Sequence, residues 1–262
     1  MAKDPVRLEL TEGVATITLD RPENRNSMTP DVLARFRERV AEVREDRDVR
    51  AVVVTGSGKS FCAGADFRSS SPAEPTEGGL AAERSFAVYE PFLSVFELEV
   101  PTIAAMNGHA IGGGLGLALV CDIRIANREA RYGANFARLG FHSGMAVSYL
   151  LPRIVGMPTA ADLLFTGRIM TGAEAEEIGL VNVAVPPESV AEEARQKARA
   201  IAGSAPLAVR LLKRSLYQGA GWNPREAAWR EAFAQSATLQ TDDAREGIRA
   251  LLEKREPKFE GR

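Results

Sequence analysis

The chain has 262 residues, 45% hydrophobic and 26% charged, with a formal net charge of −2. That length allows one large domain or two small ones around a sizeable core. The composition offers no basic excess for nucleic acid or an anionic membrane, no apolar run near the ~20 residues of a membrane span, and no apolar N-terminal core of the kind a secretory signal needs. Cys62 and Cys121 are the only cysteines, His109 and His142 the only histidines. Two thiols without metal-ligand spacing fit a reducing, cytoplasmic setting. Two histidines argue against a histidine-rich metal centre, and no metal site is expected.

In chain order, "VRLELTEGVATITLD" reads as a hairpin around Glu12-Gly13. "RPENRNSM" is a polar loop. Thr29-Pro30 then predicts an N-cap and first helical residue, followed by Leu33, Phe36, Val40 and Val43 at helical spacing. "RAVVVTG" is a short buried strand, and "SGKSFCAGADF" a glycine-containing loop after it. Residues 69–79, "SSSPAEPTEGG", predict a mobile loop. A helix is expected over 80–98, kinked at Pro91. "PTIAAM" is a second buried strand, leading into the glycine stretch "GHAIGGGLG". "DIRIA" and "ARYGA" are further strands, and after about residue 143 the pattern is mostly helical. Thr171 with Glu174 forms a capping-box signature. Strands and helices alternate first and helices follow alone, which predicts an α/β fold with a helical C-terminal region.

Two motifs fail on inspection. "TGSGKS" would be a phosphate-binding loop only with glycine at 53, where Val53 stands. The glycine stretch lacks the third glycine of a dinucleotide fingerprint: Leu117 or Leu119 takes its place. What remains is a pair of glycine loops, "CAGAD" at 62–66 and "GHAIGGG" at 108–114. Each follows a buried strand. If those strands are neighbours, both loops reach the same edge and can aim a peptide N–H at one point, an oxyanion hole for a carbonyl gaining negative charge. Close packing of two backbones explains the glycines equally well at this point.

"LDRPENRNSM", "RAVVVTGSGKSFCAGADF", "PTIAAMNGHAIGGG", "LALVCDIRIA", "RIVG", "TGRIMTGAEAEEIGLVNVAVP" and "EGIRALLEKREPKFEGR", in that order, resemble the enoyl-CoA hydratase/isomerase family, the crotonase superfamily. The resemblance implies a crotonase-like spiral of strand–strand–helix turns over residues 1–202. It also implies a helical region over 203–262 that assembles a homotrimer or a dimer of trimers. The implied ligand is an acyl-CoA, so coenzyme A arrives with the substrate and no cofactor is permanently bound. By motif match the oxyanion donors are the backbone N–H groups of Ala65 and Gly113. Ala63, Asp66, Phe67, Arg68, Gly116 and Phe136 fall at substrate-contacting positions.

The departures from the family pattern are specific. Hydratases of the family carry one glutamate in "GGGCELA" and another in "FGQPE"; here those positions are Gly116 and Phe136. Neither can carry a proton, and hydration needs that acid–base work. The segment where some isomerases place their acid, "FHSGMAVSYL", has no carboxylate. "GGGLG" and "SGMAVSYLLPRIVGM" look closer to the 4-chlorobenzoyl-CoA dehalogenase branch, yet Gly144 stands for its aspartate and Tyr89 for its histidine. "ANFARLGFHSGMA" resembles decarboxylase-type members, but no lysine accompanies Tyr89 between Ala81 and Pro101. Polar candidates near the acyl group are His142, Asn135, Ser143 and Tyr89, with His142 the expected proton carrier. His109 is expected to be structural or to face coenzyme A, Cys62 to be a small buried hydrophobe, and Trp222 and Trp229 to serve core or subunit contacts. Two functions remain open: an acyl-CoA enzyme for isomerisation, decarboxylation or C–C cleavage, and an acyl-CoA-binding homologue without chemistry.

Overall fold

The computed structural model describes residues 4–66 and 80–262. The stretch expected to be a mobile loop, 69–79, lies outside the described residues, as do Phe67 and Arg68. The N-terminal alternation does close at Glu12-Gly13, with φ of 51° and 75°. Left-handed turn residues match the twist of a tight hairpin. They join β1 (Val6–Thr11) to β2 (Val14–Leu19) in antiparallel register. Helix α1 (Pro30–Glu45) follows and buries Val32, Leu33, Phe36, Val40 and Val43 on one face. Each such side chain contributes roughly 1.5–3 kcal/mol by leaving water. Thr29 takes the N-cap position, but its hydroxyl bonds the Asp31 carboxylate at 2.5 Å instead of capping a backbone N–H.

From there the chain runs in rounds. β3 (Ala51–Gly56), β4 (Ser60–Cys62) and α2 (Ala81–Leu93) make the first. β5 (Thr102–Met106), β6 (His109–Ile111) and α3 (Gly113–Val120) make the second. β7 (Ile123–Asn127) and β8 (Arg131–Gly133) start the third, followed by α4 (Val147–Val155) and α5 (Met157–Thr166). Next come β9 (Met170–Thr171), α6 (Gly172–Glu177), β10 (Val183–Val185) and α7 (Val190–Ala202). In the first three rounds the first strand joins a six-stranded sheet, β1-β2-β3-β5-β7-β10, and the second joins a four-stranded sheet, β4-β6-β8-β9; β9 and β10 complete the small and the large sheet in the reverse order. All pairs are parallel except β1–β2 and β8–β9. This is the expected strand–strand–helix spiral.

The central strands of the large sheet, β3, β5 and β7, are buried on both faces, which is why they read as continuous apolar runs. One face packs on α1 and α3. Against the other, Val190, Ala194, Ala198 and Ala202 of α7 cover Val14, Val53, Ile103 and Ile125. The Thr171–Glu174 capping box forms as expected. The structure also corrects the sequence reading. β4 and β6 stand inside stretches read as loops, and "GLGLALV" belongs to helix α3. β9 and β10 interrupt a region read as helical. The helix expected over 80–98 ends at Leu93 and tightens into a 3-10 turn at Ser94–Glu97, just past Pro91.

Three helices close the chain: α8 (Pro206–Gln218), α9 (Pro224–Leu239) and α10 (Asp242–Glu253). Their fastening to the spiral is polar. The buried Lys213 ammonium donates to the Val100 carbonyl and pairs with Asp122, both at 2.9 Å. The Tyr217 hydroxyl donates to the same carboxylate at 2.5 Å, and burial beside that negative charge pushes the phenol well above its usual range. Residues after α10 fold back, with the Glu260 and Gly261 N–H groups donating to buried Asp243 at 2.7 and 2.9 Å. Arg255 bonds Glu246 at 2.6 Å and holds that carboxyl down to about 2. No described helix is long and apolar enough to cross a membrane.

Candidate functional site

The two glycine loops do share an edge. β4 pairs with β6 in parallel, Ser60 opposite His109 and Cys62 opposite Ala110, so the segments leaving them run side by side. Gly64 has φ +81°, and a Cβ there would stand 2.6 Å from the Ile111 carbonyl oxygen and 3.2 Å from the Gly113 nitrogen. Only glycine permits both the backbone turn and that approach. On its far side the first loop is pinned by residues 25–28. The Met28 N–H donates to the Gly64 carbonyl at 2.8 Å, Ala63 donates to Arg25 at 3.1 Å, and Met28 bridges Ala65. Asn26, fully buried, holds that segment in place. Its amide donates to the Ser57 and Ser60 carbonyls at 3.0 and 2.8 Å, and its oxygen accepts from the Arg21 N–H at 2.8 Å.

The second loop turns into α3 at Gly112, with φ +56° and its N–H on the Gly133 carbonyl at 2.9 Å. Gly113 is the first residue of the helix, and first-turn N–H groups have no acceptor within a helix. A side chain on Gly113 would run into the Met28 sulfur, and one on Gly114 into the Cys62 carbonyl. Close packing of the two backbones thus accounts for these glycines, and that packing brings the two loops together.

One turn along α3 sits Gly116. Met145 fills the space its side chain would occupy, with Val147 3.5 Å away. Met145 and Ala146 both have left-handed backbones, φ 57° and 53°, a conformation that costs non-glycine residues about 1–2 kcal/mol. The Phe136 ring lies 3.7 Å from the position of a Gly112 Cβ and packs edge-on against Phe141, centroids 5.8 Å apart. Asn135 Oδ1 lies at the same 3.7 Å from that position. Gly144 is covered by Tyr89: a Cβ there would stand 2.5 Å from the ring carbon bearing the hydroxyl.

Among the residues singled out in the sequence, Ala63 and Asp66 are half-buried and Ala65 is exposed. Phe67 and Arg68 lie outside the described residues. His142 is exposed, its Nδ1 2.7 Å from the Ser143 carbonyl. A carbonyl can only accept, so Nδ1 carries the proton and Nε2 is the basic nitrogen. His109 takes a structural role: its Nδ1 accepts the Arg131 N–H at 2.9 Å. Burial pushes both Cys62 and Cys121 thiols up to about 12, so neither supplies a thiolate near neutral pH. Trp229 is exposed on α9 rather than in the core. No group of three or more metal-ligating side chains occurs among the described residues. Sequence reading missed Asn26, Met28 and Met145, which act across long separations; only the polar run "RPENRNSM" marked the first two.

Comparison with known proteins gives one answer throughout. The family model described as enoyl-CoA hydratase/isomerase matches residues 9–262. The (E)-benzylidenesuccinyl-CoA hydratase of Thauera aromatica is 38% identical, over 98% of this chain and 99% of that protein. The crotonyl-CoA hydratase of Syntrophomonas wolfei is 37% identical, over 99% of each. The crystal structure of an enoyl-CoA hydratase from Bacillus anthracis superimposes with a TM-score of 0.92 at 33% identity, covering 98% of this chain and 100% of that one.

Proposed function

The chain belongs to the enoyl-CoA hydratase/isomerase family, and on that premise we propose that it holds an acyl-CoA thioester with the carbonyl oxygen between the N–H groups of Ala65 and Gly113. The observation that carries this is the approach of Gly64 to the Gly113 nitrogen, which sets the two loops edge to edge. When a bond at the α-carbon breaks, its electrons pass into the thioester and the oxygen becomes an enolate. Two fixed N–H donors stabilise that charge without reorganising, an effect worth ~10²–10³-fold in rate per donor. The helix α3 start adds its partial positive charge. Ala63 and Asp66 contact the substrate in this reading, and Gly116 and Phe136 line the acyl group.

The relatives' names are hydratase names, and they describe those proteins. By the family resemblance Gly116 and Phe136 take the hydratase glutamate positions, and Met145 occupies the side-chain space of Gly116. Isomerisation, decarboxylation or C–C cleavage therefore fits better than addition of water. Decarboxylation needs least: carbon dioxide leaves, the enolate forms, and the α-carbon takes a proton. His142, with Nε2 as its basic nitrogen and open to solvent, is the proton carrier in this reading. The missing carboxylates equally favour a second reading, an acyl-CoA-binding homologue without chemistry.

A turnover panel of enoyl-, β-oxo- and malonyl-type CoA thioesters separates the two readings. Release of carbon dioxide, double-bond migration or C–C cleavage above a no-enzyme control supports the enzyme. Binding by calorimetry with no turnover of any member supports the binding protein. Crotonyl-CoA hydration is expected to be slower than in ordinary hydratases by well over ~10²-fold, since each acid–base group contributes ~10²–10⁴-fold. Hydration at ordinary rates would overturn that expectation.

A further inference from the structure

We propose that Tyr89 is a specificity-determining residue, whose hydroxyl recognises an oxygen atom on the distal part of the acyl group. This rests on the acyl-thioester reading above. Three observations place it. First, the wall that runs along α3 from Gly113 is apolar at its middle. Met145 occupies the side-chain space of Gly116, and the Phe136 ring closes on Gly112. Second, Tyr89 stands beside that wall, next to the segment that supplies Met145. Its Oη is 2.7 Å from where a Gly144 Cβ would be, and Gly144 is the chain neighbour of Met145. α2, which carries Tyr89, packs on α3. Third, Tyr89 is half-buried, and among the described residues its hydroxyl has no hydrogen-bond partner.

Gly113 to Gly116 is about 4.5 Å along the helix axis. An acyl chain leaving the oxyanion hole in this direction passes Met145 before it reaches Tyr89. The carbons next to the thioester thus meet apolar side chains, and the phenol meets an atom several bonds further on. A polar group removed from water without a partner is costly, so a ligand lacking the matching atom leaves the site deficient. Sites built to hydrogen-bond one substrate oxygen discriminate strongly against analogues without it. The ligand class is therefore a medium-length acyl-CoA with a hydroxyl or carbonyl oxygen beyond the β-carbon, in preference to an unsubstituted acyl chain. Asn135, the polar side chain nearest Gly112, sits at that end of the wall and does not compete for that atom.

The test measures affinities by calorimetry for hexanoyl-CoA and its 4-, 5- and 6-hydroxy derivatives. The wild-type chain is compared with Tyr89→Phe, which keeps the ring and removes the hydroxyl. At least one hydroxylated thioester is expected to bind wild type ~10-fold or more tightly than hexanoyl-CoA, and Tyr89→Phe to erase that difference without weakening hexanoyl-CoA binding. Gly144→Ala, which pushes a methyl group against the phenol, is a second variant expected to erase the same preference. A wild type without preference, or a preference that survives Tyr89→Phe, overturns the assignment of Tyr89 while leaving acyl-thioester binding intact. Binding of none of the four thioesters by any of the three proteins overturns the acyl-thioester reading itself, and this inference with it.

Discussion

Gly116 and Met145 share one space, so the consequence of changing either depends on the other. Gly116→Glu forces a side chain into the methionine and is expected to destabilise the fold by about 1–3 kcal/mol or more, as overpacking does. Adding Met145→Gly clears the space and relieves a left-handed backbone at the same residue, so the double variant should recover most of that loss. Urea denaturation of the three proteins measures it; a Gly116→Glu variant as stable as wild type refutes the steric account. His142→Gln is expected to slow whichever thioester reaction the panel reveals by at least ~10²-fold with acyl-CoA affinity nearly unchanged, because a proton carrier acts in the transition state. Unchanged turnover per folded protein would leave the histidine a loop residue. The glycines of this site were legible in the sequence because glycine is costly unless the backbone needs it. Met145 and Asn26 were not, since their partners lie far along the chain and nothing local marks a contact of that kind.

At the scale of elements, the start of α3 is the part most open to a backbone test. Gly113→Pro removes the N–H while suiting the first helical position, where proline is tolerated. Gly113→Ala keeps the N–H and reproduces the pressure on Met28. The proline variant should lose ~10²–10³-fold more activity than the alanine variant at similar helix content by circular dichroism. Equal losses would place the damage in Met28 rather than in the missing donor. The long elements, β1 to β3, α1, β5 and β7, were readable because periodicity and β-branched runs mark them. The short strands β4, β6, β9 and β10 have two or three residues each, and neighbouring strands rather than local preference define them. "GLGLALV" hid a helix because all its faces are buried, which leaves no amphipathic pattern.

At the scale of the whole molecule, two sets of helices carry several of the exposed apolar side chains of the described residues. Leu212, Leu216, Trp229, Phe233, Leu251 and Leu252 lie on α8, α9 and α10, while Tyr149, Met157 and Phe165 lie on α4 and α5. Two unlike faces that meet head to tail generate a ring when the rotation closes and an open filament when it does not. Light scattering at micromolar concentration should give three times the chain mass, or six times it, as the resemblance implies; a monomer would refute the ring. The fold-back after α10 has its own pH signature. The Glu246 carboxyl is held from 4.5 down to about 2, chiefly by the Arg255 hydrogen bond. A depressed carboxyl contributes stability above its unfolded value and loses it as pH falls through the folded value. Protection of residues 255–262 against amide exchange, taken relative to the intrinsic exchange rates, should therefore fall progressively as pH drops from 4.5 towards 2. Protection that stays level over that range would mean that the Glu246–Arg255 bond does not hold the segment.

The contact between Gly116 and Met145 also imposes a direction on descent. A carboxylate gained at 116 meets a neighbour already seated there, so that single step is disfavoured whatever chemistry it would restore. Shortening residue 145 first opens a permissive route, and the second change then becomes tolerable. A glutamate at 116 is therefore reached only by the order that trims Met145 before residue 116 changes, or by both changes together. Laboratory selection for hydratase activity from this chain, which also needs a carboxylate in place of Phe136, should recover Gly116→Glu only with or after a change at 145.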